Sequence, residues 1–134
     1  MNRVTLKTPE ELQLLREAGR LLAQVFGYLD ARIEPGISTM DINRWVERYI
    51  VDVVKARPAS KGQYGYPYVL NASVNHVVCH GIPSETQRLA SGDIVNVDIT
   101  LEKNGFIADA SKTYLVGTVT PNAQRLVGTT YEAM

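Results

Sequence analysis

Gly92-Asp93-Ile94-Val95-Asn96-Val97-Asp98-Ile99-Thr100-Leu101-Glu102-Lys103-Asn104-Gly105-Phe106-Ile107-Ala108-Asp109-Ala110-Ser111-Lys112-Thr113-Tyr114-Leu115-Val116-Gly117 is the stretch that decides the fold. Its first half alternates. Val95, Val97, Ile99 and Leu101 project to one side, and Asn96, Asp98, Thr100 and Glu102 to the other, the period of a half-buried strand. Asn104-Gly105 is a two-residue hairpin turn, because both residues tolerate positive φ. Phe106 to Val116 returns as the partner strand, with Ile107, Asp109, Ser111 and Thr113 on one side. Such a turn pairs Lys103 with Phe106, which sets Asp98 opposite Ser111 and Asp109 opposite Thr100. The two aspartates become diagonal neighbours on one face, about 7–8 Å apart. Carboxylates that close repel each other unless solvent screens them, one is protonated, or a cation bridges them. The aliphatic face is the core. The acidic face is either open to water or lines a polar cleft. A one-residue bulge would send Asp109 to the other side.

Two helices precede the hairpin. Thr8 as N-cap, Pro9 in the first turn and Glu11 as capping-box acid start the first, and Leu12, Leu15, Gly19, Leu22, Phe26 and Leu29 form its stripe. It ends near Ala31, where Glu34-Pro35-Gly36 breaks the pattern. Ser38-Thr39-Met40-Asp41 starts the second, with Ile42, Val46, Tyr49, Ile50 and Val53 running to about Lys55. From Arg57, closely spaced Pro58, Gly62, Gly65 and Pro67 with Tyr64, Tyr66 and Tyr68 between them predict a loop or a glycine-rich strand edge, where a pocket wall would sit. Val69 to Val78 predicts one or two short strands with a turn near Ser73–Asn75. His80-Gly81-Ile82-Pro83 ends that segment, and Gly81 and Pro83 imply a tightly held backbone that suits a positioned His80. A turn follows at Leu89–Gly92. Thr120-Pro121 opens a third helix with a weak stripe of Ala123, Leu126, Val127, Thr130 and Met134. The fold class is α/β (α+β): two helices packed on an antiparallel sheet, with a third helix at the C-terminal end.

Composition narrows the function. The chain has 134 residues, which suits a single domain over residues 1–134. Fourteen basic residues cancel fourteen acidic ones, so no basic excess points to nucleic acid. One cysteine, Cys79, excludes an internal disulfide framework and a multi-cysteine zinc module. Two histidines, His76 and His80, exclude an all-histidine metal site within one chain. Cys79 and His80 are adjacent and so point to opposite faces of a strand, which argues against a nucleophile pair. There is no phosphate-binding glycine loop. No apolar run approaches the ~18 residues of a membrane span. Met1-Asn2-Arg3-Val4 carries no signal-peptide core. A cytoplasmic protein with no membrane and no nucleic-acid partner is expected.

Three motifs together carry a resemblance: Val78-Cys79-His80-Gly81-Ile82-Pro83, then Gly92-Asp93-Ile94-Val95-Asn96-Val97-Asp98-Ile99-Thr100, then Gly105-Phe106…Asp109-Ala110-Ser111-Lys112-Thr113…Val116-Gly117. With the opening Lys7-Thr8-Pro9-Glu10-Glu11…Arg16-Glu17-Ala18-Gly19-Arg20 and the Gly65-Tyr66-Pro67 step, the chain resembles type I methionine aminopeptidases from about residue 3 to residue 134. The resemblance implies the N-terminal half of a pita-bread fold, whose related halves enclose two divalent metal ions. It implies hydrolysis of N-terminal methionine from peptides by a metal-activated water. Asp98 would chelate one metal and Asp109 would bridge both. Thr100 would stand behind them, and His80 would reach the substrate at the scissile bond. An oxygen-rich site of this kind suits Mn, Fe or Co at least as well as Zn.

The chain also departs from the family. Aligned from His80, the methionine-lining positions fall at Ser60, Gln63, Tyr66 and Asn71, where the family usually has cysteine, tyrosine, tyrosine and cysteine. Only Tyr66 agrees, and Tyr64 replaces a common histidine. Polar side chains there make a poorer home for a thioether. Family members are also far longer. Their second half supplies a metal-binding histidine, a pair of metal-binding glutamates and another substrate-facing histidine. The expectation is therefore an excised piece, a split half, a truncated gene product or a pseudo-enzyme, inactive alone and with metals weakly bound or absent. Its partners would be peptide N-termini and either the missing C-terminal half or a second copy in a homodimer. The alternative is a catalytically inactive paralogue serving as a peptide- or protein-binding module.

Overall fold

A capping box starts each of the first two helices. In the computed structural model, which describes residues 5–134, the Thr8 amide donates to Glu11 Oε2 at 2.8 Å and the Glu11 amide to Thr8 Oγ1 at 3.2 Å. Helix α1 (Pro9–Asp30) follows. Ser38 and Asp41 repeat the device before α2 (Thr39–Arg48). Four strands come next: β1 (Arg57–Pro58), β2 (Leu70–Val74), β3 (Ile94–Lys103) and β4 (Phe106–Leu115), then α3 (Pro121–Glu132). The reading of Met1–Val4 lies outside the described residues.

β3 is the centre of the antiparallel sheet. β4 pairs along its whole length, from Lys103↔Phe106 to Ile94↔Leu115, with no bulge. On the other side β2 pairs with Val95–Ile99 and β1 with Leu101–Glu102. The turn residues Asn104 and Gly105 have φ of +53° and +81°, as a tight hairpin requires. Val95, Val97, Ile99 and Leu101 are fully buried against Val25, Leu29, Ile42, Val46 and Ile50. One core thus joins the two helices to one face of the sheet and leaves the other face polar.

Two stripes fall differently from expectation. On α1 the buried residues are Ala18, Leu21, Leu22, Val25 and Leu29, while Leu12 is 41% exposed and Gly19 is exposed. Glu17 lies level with the hairpin tip, where its carboxylate accepts from Asn104 Nδ2 at 3.4 Å. The turns before Glu17 therefore overhang the end of the sheet, and Leu14 and Leu15 there are only half-buried. After α2 the chain widens into a π turn over Tyr49–Val53, closed by the Val54 amide donating to Tyr49 O at 3.1 Å. The wider turn advances the buried series by one residue. Val54 is buried and Val53 is 60% exposed.

The segment after β2 makes no second strand. Asn75 closes its turn by donating to Asp93 and accepting from the Ile94 amide. α3 has no fully buried residue, and of its weak stripe only Ala123 and Val127 are half-buried. At the far end of α1, Asp30 accepts from Lys112 Nζ at 2.6 Å and from the Tyr114 hydroxyl at 3.1 Å. Burial, then the Asp30 charge, push the Tyr114 phenol well above its ordinary value.

Leu22→Ala is expected to cost about 2–5 kcal/mol in urea unfolding, and Leu12→Ala less than about 0.5 kcal/mol; equal costs would refute the revised stripe. Hydrogen bonds from the Ser38 hydroxyl and amide hold the Asp41 carboxyl below its ordinary 3.8. A lowered folded-state value contributes stability above the unfolded-state value and loses it as pH falls through the folded one. Asp41→Asn should therefore destabilise by about 1 kcal/mol at pH 7, with the gap to the parent closing below the ordinary carboxylate range, as read from urea midpoints.

Candidate functional site

The even register sorts the polar face into cross-strand rows. Ser73, Asn96 and Thr113 form one, Asn71, Asp98 and Ser111 the next, and Thr100 stands opposite Asp109 in the third. The two aspartates share this face, as the hairpin arithmetic predicts. Asp98 is half-buried and Asp109 exposed. Burial first, then the Asp109 charge and a hydrogen bond between the carboxyls, push Asp98 above its ordinary value; His80 and Asn71 offset part of that shift. Asn96 Nδ2 donates to Thr113 Oγ1 at 3.1 Å and to Ser111 Oγ at 3.3 Å. These three polar residues, not singled out as site residues from the sequence, follow from the same alternation.

His80 is held by its neighbour. A Cβ on Gly81 would stand 2.2 Å from the Ala72 carbonyl oxygen, so only glycine fits. Ala72 donates its amide to Gly81 O at 2.8 Å, and the Gly81 amide donates to Ser73 Oγ at 3.0 Å. With Pro83 buried behind it, this splice to β2 supports His80 at φ +56° with its side chain exposed.

His80 stands on the wall of an open cleft of about 600 Å³ that Ser60, Gln63, Tyr66 and Asn71 also line. All five positions marked for substrate contact in the sequence therefore meet in one place. Tyr64, Gly65, Pro67 and Ile82 complete the wall. Ile82 carries no signal in the sequence beyond its place after Gly81. The Ser60 hydroxyl hydrogen-bonds Thr100 Oγ1, tying the cleft to the aspartate rows. Gln63 Nε2 donates to Ala59 O at 2.8 Å and the Tyr66 hydroxyl to Leu70 O at 2.8 Å. Burial, then Tyr68 and Asp98, push the Tyr66 phenol up.

Among the described residues no group of three or more His, Cys, Asp or Glu side chains is arranged to hold a metal ion. Asp98 and Asp109 by themselves fit a divalent cation as part of a donor set. They are oxygen donors of like charge on one face of the sheet. Lys112, the cation nearest Asp109 in sequence, bonds Asp30, and Lys103, the one nearest Asp98, donates to Lys55 O at 2.7 Å. Gly81→Ala should lower stability by about 1–3 kcal/mol and shift the His80 ring resonances in an NMR spectrum; an unchanged spectrum would contradict the splice.

Residues 13–134 match metallopeptidase family M24. The chain is 42% identical to the methionine aminopeptidase of Escherichia coli (strain K12) over 131 residues, 98% of this chain and 50% of that protein. It is 40% identical over 129 residues to the methionine aminopeptidase of Buchnera aphidicola subsp. Acyrthosiphon pisum, 96% of this chain and 49% of that one. The crystal structure of methionine aminopeptidase from Rickettsia prowazekii superposes with a TM-score of 0.94 at 34% identity, covering 98% of this chain and 52% of the other. The prolidase from Pyrococcus furiosus shares the fold alone, at a TM-score of 0.75 and 20% identity. The chain spans about half the length of the curated relatives it matches, in keeping with the expected half of a pita-bread fold. On its match over residues 13–134, the chain belongs to metallopeptidase family M24.

Proposed function

We propose that the chain supplies two carboxylate donors and a peptide-binding cleft to a metal-dependent aminopeptidase site that releases N-terminal methionine. The observation that carries this reading is the placement of Asp98 and Asp109 on one face, tied through Thr100 and Ser60 to the cleft that holds His80. Residues 1–134 act as one domain, half of a larger catalytic unit.

Asp98 and Asp109 would hold the divalent ions, with Mn, Fe, Co or Zn as candidates. When bound, such ions polarise a peptide carbonyl and lower the pKa of water. The chain's own side chains do the rest. Ser60, Gln63, Tyr66 and Asn71 receive the first side chain of the peptide. His80, fixed by the Gly81 splice, meets the peptide near the bond to be cut. Thr100 braces Ser60 against the Asp109 row. Two carboxylates are too few for a dinuclear centre, so further donors come from outside the described residues, either from a completing segment or from a second copy of the chain. The substrate is a peptide N-terminus, not nucleic acid or lipid, in a cytoplasmic setting. Among the described residues no helix is long and apolar enough to cross a membrane.

The small donor count and the polar cleft favour a second reading, an inactive paralogue that binds peptides or proteins. Metal content, size-exclusion mass and methionine release from a Met-Ala-Ser peptide separate the two. Stoichiometric metal with cleavage removes the module reading. A monomer without metal or cleavage removes the enzyme reading of the chain by itself. In calorimetric titration with Mn²⁺, Asp109→Asn should weaken binding by more than the roughly 10–100-fold that loss of an outer hydrogen bond costs. Glu102→Gln, whose parent carboxylate is engaged by Arg57, should leave it nearly unchanged.

A further inference from the structure

Thr39 makes contacts that its own helix does not require. Ser38 is the N-cap of α2 and, with Asp41, completes the capping box. The Thr39 side chain, at the first helical position, is left free of that duty. It is fully buried, and its hydroxyl bonds a segment distant in sequence. Thr39 Oγ1 accepts from the Ser84 amide at 2.9 Å and donates to the Ser84 carbonyl oxygen at 3.3 Å. First-turn amides have no partner within their own helix, and two of them here serve the same segment. The Thr39 amide donates to Gln87 O at 3.0 Å and the Met40 amide to Ser84 O at 3.3 Å.

The segment held in this way runs on from His80. Gly81 is fastened to β2 through the Ala72 amide and Ser73 Oγ. Ser84 is fastened to α2. Only Ile82 and Pro83 lie between the two anchors; Pro83 is buried, and its ring fixes its φ. So short a span leaves the backbone little freedom. Ile82 inside the span and His80 beside it both stand on the cleft wall, whereas Thr39 does not line the cleft. We propose that Thr39 is a positioning residue for that wall: from the start of α2 it sets, through Ser84, where Ile82 and His80 stand. Its consequence for peptides rests on the aminopeptidase reading of the cleft; its hold on the wall does not.

Thr39→Val keeps the shape of the side chain and removes both hydroxyl hydrogen bonds, which leaves the Ser84 amide unpaired; Thr39→Ser keeps the hydroxyl. Hydrogen exchange and NMR of the full chain read the result. In the parent, the Ser84 amide should exchange as slowly as that of Gly81; exchange as fast as at exposed Glu85 overturns the proposal, whether or not the variants fold. In Thr39→Val, Ser84 exchange should rise about tenfold or more. The Ile82 methyl and His80 ring resonances should shift, the Val97 methyls in the core should not, and Thr39→Ser should restore the parent spectrum. Unmoved Ile82 and His80 resonances, or shifts as large at Val97, overturn the proposal. Loosened side chains must be ordered again on binding, so Thr39→Val should weaken Met-Ala-Ser binding about three- to tenfold in calorimetric titration with Mn²⁺ present, and Thr39→Ser should recover it. Equal binding by the parent and Thr39→Val overturns the proposal and leaves the aminopeptidase reading standing. No binding by the folded parent removes that reading, while the resonances still decide the hold on the wall.

Discussion

The β3–β4 ladder carries the rest of the molecule. It runs without a bulge from the Asn104–Gly105 turn to Ile94↔Leu115, and its period of two residues assigns every side chain to one of two faces. The same register that buries Val95, Val97, Ile99 and Leu101 puts Asp98 and Asp109 together on the opposite face. Core and acidic face are therefore one constraint. A slip by one residue between the strands, with β3 kept on its core face, would drive Asp109 into the aliphatic layer and part it from Asp98, at a desolvation cost.

A second constraint is local. His80 owes its position to Gly81, which touches the β2 backbone where no Cβ fits. The sheet thus fixes the carboxylates through side-chain alternation and the histidine through backbone contact. Thr100 and Ser60 bridge the two systems, one from β3 and one from the loop after β1. The chain belongs to the M24 family, and its cleft wall carries Ser60, Gln63 and Asn71 beside Tyr66 and His80.

The mismatches between expectation and structure share a cause. Leu12 fits a helical period as well as Leu22 does, but it lies beyond the hairpin tip, where there is no sheet to cover it. Val53 fits an α-helical period, and the π turn replaces it with Val54. Periodicity states which residues share a side of an element. It does not state how far the opposing surface extends, or where the helix changes its pitch.

Local chemistry alone determined the capping boxes at Thr8 and Ser38, the Asn104–Gly105 hairpin, the sheet's core face and the pairing of Asp98 with Ser111. Each depends on residues close in sequence and on geometry with few solutions. The motifs around His80, Asp98 and Asp109 were enough to suggest the family, because their combined spacing is specific. Tertiary structure decided what brings distant segments together: the overhang of α1, the seating of His80 against β2, and the convergence of Ser60, Gln63, Tyr66, Asn71 and His80 on one cleft. Those contacts depend on how elements stack across long loops, and no short-range preference in the chain encodes that distance.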